Sequence, residues 1–207
     1  TSGAYLGTKG TYSHLATQHY FANYSSRMEE HSCSSFDEIV YKVESGACEY
    51  GVLPIENSNS GSINEAVDTM QSMNAFITGE IFYPIDHSLL SVVPPPNGEN
   101  DAFDFKTIKT IYSHPQPVAQ CSKFIKEHLS HANIVYTDSS SEAMSIVKQQ
   151  NDPSAVALGS KHAACYYSLN SLMSDIANNK NNYTRFIILS KTPVDIPSTM
   201  AAKTSIL

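Results

Sequence analysis

The sequence is short of the features that announce most function classes. It has no tryptophan and only 4 cysteines in 207 residues. Cys33, Cys48, Cys121 and Cys165 make no CxxC pair, and none stands beside a histidine at metal-ligand spacing. That excludes a zinc ribbon and a thioredoxin-like redox motif, and so few cysteines in a chain this long argue against a disulfide framework. Buried or half-buried thiols in a cytoplasmic protein are the expectation. No apolar run approaches the ~18 residues that a membrane-spanning helix needs. The opening stretch, Thr1 to Gly7, lacks the basic and apolar regions of a signal peptide. It enters a strand almost at once, so an upstream segment is expected to precede it. Positive charge is scarce as well: 13 Lys and Arg against 20 Asp and Glu leave a net −7. That field repels nucleic acid and anionic membranes, so neither is expected as a partner. An anionic small molecule would have to be held by local donors. There is no P-loop, complete GxGxxG, GxSxG or HExxH, no internal repeat and no low-complexity segment. Nucleotide binding is therefore poorly supported, and no segment reads as a metal site, a hydrolase triad or a redox pair.

What is present is an ordinary globular composition, 41% hydrophobic and 16% charged. Apolar runs alternate with amphipathic stretches. Strands are predicted at Ala4 to Gly7, Tyr50 to Ile55, Phe76 to Phe82, Ile85 to Val93, Ile108 to Tyr112, Ile134 to Tyr136, Ala155 to Gly159 and Arg185 to Leu189. A helix is predicted from about Ser13, with Leu15, Ala16 and Tyr20 on its apolar side. Phe36, Ile39, Val40 and Val43 fall at helical spacing and stop at Gly46. Ser62-x-x-Glu65 and Ser139-x-x-Glu142 read as capping boxes. Ser113-His114-Pro115 reads as a helix start with Ser113 as the cap. Pro94 to Gly98 is a loop. Strands alternating with helices over short connections imply an α/β fold with mostly parallel strands. Such sheets place ligands where strands end against helix N-termini.

Four such junctions carry candidate chemistry. In Gly7-x-x-Gly10-Thr11-Tyr12-Ser13-His14 the glycines let backbone approach a ligand, and free amides attract an anion. A plain strand-to-helix turn is the competing explanation. Pro54-Ile55-Glu56-Asn57-Ser58-Asn59-Ser60-Gly61-Ser62 sets amide and hydroxyl donors directly after an apolar strand. His114 is the best-placed histidine, able to serve as acid or base or to tie down a loop, and Gln120 lies about a turn and a half further along that helix. The other histidines read as packing or surface residues. Asn181-Asn182-Tyr183-Thr184-Arg185-Phe186 opens the last strand, where an arginine is a natural fork for a carboxylate. These segments describe a site rich in neutral donors, fit for a small polyanion.

Taken together, GTKGTYSHLA, GVLPIENSNSGSINE, SHPQPVAQCSKF and NNYTRF, in this order from about Ala4 to Ser190, resemble the prephenate dehydratase family. The resemblance is nearest to members in which a helical chorismate mutase domain precedes this region and an ACT regulatory domain follows. It implies a fold of two α/β lobes like type II periplasmic binding proteins, with the active site in the cleft. Lobe one would be about 1–80 and 178–190, lobe two about 81–177, and 191–207 a linker with the start of a truncated ACT domain. The ESRP signature that accompanies phenylalanine binding in the family is absent, which leaves feedback by phenylalanine open.

The resemblance also implies roles. Thr184, Asn57 and Gln120 would be catalytic and would converge on one crevice. Thr11, Ser13, Ser58, Ser60, Gly61, Ser113, His114, Arg185 and Phe186 would neighbour the substrate. The activity would be decarboxylative dehydration of prephenate to phenylpyruvate in phenylalanine biosynthesis, a lyase reaction without metal or organic cofactor. Arogenate dehydratase shares the motifs, and a two-lobed small-molecule sensor is the non-enzymatic alternative. A cytoplasmic location, a homodimer and fusion to chorismate mutase and ACT domains complete the expectation.

Overall fold

The computed structural model describes residues 1–24, 27–95 and 103–203. Two expectations reach outside them: the Pro96 to Gly98 end of the proline-rich loop, and 204–207 of the expected ACT opening. The described chain forms two compact units. The first comprises Thr1–Gly7, Ala16–Tyr83 and the chain from Tyr183; the second comprises Thr8–Leu15 and Pro84–Asn182.

The first unit holds β1 (Ser2–Leu6), most of α1 (Tyr12–Phe21), β2 (Glu29–Cys33), α2 (Phe36–Ser45), β3 (Tyr50–Asn57), β4 (Gly61–Ser62), α3 (Asn64–Ser72) and β5 (Phe76–Pro84). The second holds β6 (Ser88–Ser91), β7 (Thr110–Ser113), α4 (Pro115–Gln120), α5 (Ser122–His128), β8 (Asn133–Tyr136), α6 (Ser140–Gln150), β9 (Ala155–Gly159) and β10 (Asn170–Met173). The chain then returns to the first unit as β11 (Tyr183–Ser190).

Helix α2 shows how local chemistry sets an element. Ser35 Oγ accepts the Glu38 amide at 3.1 Å, and Glu38 Oε2 accepts the Ser34 amide at 2.7 Å. Hydrogen bonds from the Ser34 backbone and hydroxyl, with Lys42 beside it, hold the Glu38 carboxyl down to about 2. Phe36, Ile39, Val40 and Val43 are buried, as their spacing predicts. Each such side chain contributes roughly 1.5–3 kcal/mol. Gly46 ends the helix at φ 81°, which only glycine adopts at little cost, and its amide caps the Val43 carbonyl. The box predicted at Ser139 also forms: Ser139 Oγ accepts from Glu142 N at 3.0 Å. Its glutamate reaches one residue further back than expected, to Asp138 N at 2.7 Å.

The same signature at Ser62 does not form a box. Ser62 pairs with Glu56 as part of β4, and α3 begins after Ile63 with no side-chain cap. The sheet claims the Ser62 backbone, so its hydroxyl is not set over the helix end. At α4 the cap is His114, whose Nδ1 accepts the Gln116 amide at 3.3 Å, in place of Ser113. Ser113 stays in β7, and its hydroxyl turns back to the His114 carbonyl at 2.8 Å. The expected strand at Ile85 to Val93 is regular only over β6, and β2, β4 and β10 carry no sequence signal strong enough to predict.

The sheets are mixed, not mostly parallel. In the first unit the order is β2-β1-β3-β11-β5, with β4 on β3. Strands β2, β1 and β3 run parallel, and β11 returns antiparallel to β3. In the second unit the order is β10-β6-β9-β7-β8: β8, β7 and β9 are parallel, while β6 and β10 join antiparallel. Hydrophobic alternation does not encode strand direction when partners are far apart in sequence, so the expectation failed there. Each sheet has its own core, built around Ile39, Val43, Leu53, Ile187 and Leu189 in the first unit and Leu89, Ile111, Val156 and Leu158 in the second.

Candidate active site

In the first unit the functional residues are set by one antiparallel pair, β3 with β11. Register places Thr184 opposite Asn57 and Arg185 opposite Glu56. It then slips, so that Phe186 faces Pro54 and Ile55 is the extra residue. Proline cannot donate to a ladder, and a bulge beside it relieves the pairing and re-aims the strand end. Successive side chains on a strand face opposite ways. Asn57 and Thr184 therefore share one face, and Glu56 and Arg185 share the other.

On the first face, Asn57 and Thr184 are both buried, at 7% and 8% exposure. Asn57 Nδ2 donates to Thr184 Oγ1 at 3.0 Å and to the Tyr183 carbonyl at 3.2 Å. Its Oδ1 accepts from the amides of Asn59 (2.9 Å) and Ser60 (3.2 Å) and from Ser60 Oγ (3.3 Å). One carboxamide thus ties the 58–60 turn to the end of β11. Ser58 closes the ladder: its amide donates to Tyr183 O and its Oγ accepts from Tyr183 N, both at 2.9 Å. Gly61 completes the turn at φ 80°, with open space where a Cβ would stand. Thr184 Oγ1 accepts from Asn57, and among the described residues its own proton meets no acceptor. A hydroxyl that accepts from an amide is a stronger donor, because hydrogen bonds in a chain polarise one another.

On the second face, Arg185 is engaged by Glu80 at 2.9 Å (Nε) and 2.8 Å (Nη2), by Glu56 at 3.9 Å, and lies over the Phe82 ring. Lys203 also pairs with Glu80. The hydrogen bond from Lys203, followed by that from Arg185, holds the Glu80 carboxyl below the usual range. Arg185 is a carboxylate fork, as its chemistry suggested, but the carboxylates are the protein's own. Phe186 is fully buried in the core. The structure does not gather these two expected neighbours around the Thr184 hydroxyl.

In the second unit, Gln120 ends α4 and its Oε1 lies 2.6 Å from His87 Nε2. Asn182 Nδ2 approaches the same oxygen at 3.5 Å, and the Gln120 carbonyl accepts the Asn178 amide at 2.7 Å. The other imidazole nitrogen, Nδ1, faces Tyr12 Oη at 3.2 Å, and Tyr12 Oη donates to the Asp86 carbonyl. His87 is 2% exposed, and burial pushes its pKa down, against the hydrogen bond to Gln120 and the nearby Asp86. Asp86 Oδ1 accepts from Ser160, while Oδ2 has no partner among the described residues. Burial pushes the Cys121 thiol up to about 12, so this neighbour of Gln120 is no nucleophile.

From Thr8 to Leu15 the glycine loop and the start of α1 belong to this unit. The Gly10 amide donates to His14 Nδ1 at 3.1 Å, so it is not offered to an anion. Thr11 Oγ1 donates to the Thr8 carbonyl at 2.9 Å and accepts the His14 amide, and Ser13 is buried. Sequence reasoning missed Tyr12, His87 and Asn182. Tyr12 and Asn182 lie inside motifs already singled out, so proximity to them was the one available signal; His87 had none. Among the described residues, no group of three His, Cys, Asp or Glu could hold a metal ion.

A model of the family described as prephenate dehydratase matches residues 4–194. The bifunctional chorismate mutase/prephenate dehydratase of Enterobacter agglomerans is 41% identical over 204 residues, 99% of this chain and 50% of that protein. The chain thus spans about half the length of the curated relatives it matches. Among solved structures, the prephenate dehydratase of Staphylococcus aureus is 26% identical with TM-score 0.74, covering 93% of this chain and 67% of that one. A structure described as GqqA, a novel type of quorum quenching acylase, is also 26% identical, with TM-score 0.77 over 95% of this chain and 66% of that one.

Proposed function

The chain belongs to the prephenate dehydratase family, and on that premise we propose that it converts prephenate to phenylpyruvate, carbon dioxide and water. The C–CO₂ bonding electrons become a ring π bond, and the hydroxyl across the ring leaves with its C–O pair, taking up a proton to become water. Aromatisation drives the step. The enzyme's task is to hold two carboxylates and to ease the departure of hydroxide.

The observation that carries this reading is the Asn57–Thr184 pair: a buried hydroxyl, fixed by an amide that donates into its oxygen. Thr184 is the donor to the departing oxygen. A threonine hydroxyl is too weak an acid to give up its proton outright, so it works by a hydrogen bond that strengthens as charge develops. Asn57 fixes the hydroxyl, and Gln120 offers its amide nitrogen to a substrate carboxylate. Ser58, Ser60, Gly61, Thr11, Ser13, Ser113 and His114 complete the proposed substrate contacts through backbone and hydroxyl groups. Neutral donors suit a dianion that must lose one carboxylate, since a fixed cation would stabilise the charge that has to leave.

The relatives' names support a longer protein in which chorismate mutase shares the polypeptide; that 191–207 leads to an ACT domain belongs to the same proposal. A cytoplasmic setting is supported by four free cysteines, three of them buried, and among the described residues no helix is long and apolar enough to cross a membrane. Homodimer formation belongs to the same reading and is tested by sedimentation. The function is tested by mixing the purified chain with prephenate and following phenylpyruvate absorbance in alkali, with arogenate in parallel. Turnover of prephenate is expected. Turnover of arogenate alone, or of neither, overturns the reading.

A further inference from the structure

We infer that Asn178 is a positioning residue for Gln120: from a distant segment of the chain, it caps both helices that meet just after Gln120. This rests on the role proposed for Gln120. Helix α4 ends at Gln120 and α5 starts at Ser122, with Cys121 between them at φ −109° and ψ 15°. A helix end leaves carbonyls without partners, and a helix start leaves amides without them. The Cys121 amide takes up the Pro117 and Val118 carbonyls, but the Cys121 side chain gives α5 no cap. Asn178 supplies what is missing. Its backbone amide donates to the Gln120 carbonyl at 2.7 Å. Its Nδ2 donates to the Ala119 carbonyl at 3.3 Å and to Ser122 Oγ at 2.9 Å. Its Oδ1 accepts the Lys123 amide at 3.0 Å. An N-cap asparagine makes that same bond to the second residue of its own helix.

Backbone partners fix which way this carboxamide faces. Only the oxygen can accept the Lys123 N–H, and only the nitrogen can donate to the Ala119 carbonyl. Both amide hydrogens and the oxygen are then in use. Gln120 closes a helix of six residues, too short to hold its own last turn firmly. Asn178 grips the backbone at Gln120 and on both sides of it. The grip is itself rooted: two residues earlier, Ile176 is buried in the core and its amide donates to the His87 carbonyl at 3.0 Å. Asn178 thus sets where the Gln120 Cα stands, and acts on the reaction only through it.

The test is kinetic and uses the whole chain. Asn178→Ala should lower kcat on prephenate about tenfold with little change in KM, within the ~10² that a 1 Å misplacement can cost. Asn178→Asp still accepts the Lys123 amide, lets the Ser122 hydroxyl donate to it and loses only the Ala119 bond, so it should recover most of that loss. Ser35→Ala removes a cap at the start of α2, where nothing catalytic is proposed. It should lower the urea midpoint by a similar margin and leave kcat unchanged. Wild-type kcat in Asn178→Ala, equal losses in the Ala and Asp variants, or a matching kcat loss in Ser35→Ala would reduce Asn178 to a stabilising cap and overturn the inference. A second readout does not need turnover. In ¹⁵N NMR the Lys123 amide should exchange faster and the Gln120 side-chain NH₂ signals should move in Asn178→Ala, but not in Ser35→Ala. Unmoved Gln120 signals overturn the inference. A wild-type chain that ignores prephenate overturns the functional reading instead, and the Gln120 signals then decide whether Asn178 places that side chain.

Discussion

The two units fix a polar side chain by different means. In the first, the sheet does it: antiparallel register sets Thr184 across from Asn57, a bulge at Ile55 adjusts the strand ends, and one carboxamide locks hydroxyl and turn together. In the second, a helix end does it: Gln120 leaves α4 and is oriented by a buried ring from another segment. A ladder fixes position through many backbone bonds, so the side chain needs little further help. A helix terminus fixes only the Cα, and a long side chain there keeps its rotamers until something buried holds it.

This contrast breaks most sharply at Thr184. Removing a preorganised donor typically costs ~10²–10³ in kcat. Thr184→Ala should show that loss with a modest change in KM, whereas Thr184→Ser, which keeps the hydroxyl, should lose much less; steady-state kinetics on prephenate decides. Gln120→Ala should cost about 10² by the same logic, with Gln120→Glu no better because a carboxylate repels the substrate. Asn57→Ala tests whether the ladder suffices. It strands buried partners, and urea denaturation should show a loss of about 1–3 kcal/mol.

A smaller effect separates two identical motifs. Ser139→Ala should destabilise by about 1 kcal/mol because that cap is made, while Ser62→Ala should be nearly silent. Acid sensitivity gives the finest distinction. His87 binds a proton less readily folded than unfolded, so its contribution is full above the ordinary 6.5 and is lost as pH falls through and below that value. Glu80 is also depressed, but from 4.5, so its contribution is lost only at lower pH. Urea midpoints followed as pH falls should therefore drop in two stages, and His87→Leu should flatten only the first.

Much of the fold was legible because burial leaves a periodic trace. Phe36, Ile39, Val40 and Val43 announced α2, and Gly46 announced its end. Asn57, Gln120 and Thr184 stood out by chemistry and by resemblance to a family. Arg185 does fork a carboxylate, but its partner Glu80 was not legible, because it lies on a strand 105 residues away in sequence. His87 looked like any buried histidine until the ring met Gln120.

By itself the sequence determined most of the strands and helices, though not β2, β4 or β10, as well as where α2 stops and which family the chain joins. These are local matters: side-chain spacing against a repeating backbone, and cap residues within three positions. Tertiary structure alone decided the direction of β11, the loss of the Ser62 cap to β4, and which atoms face Thr184 and Gln120. Those outcomes depend on pairings such as Asn57 with Thr184, 127 residues apart. No short-range pattern records a contact that exists only after the backbone has closed.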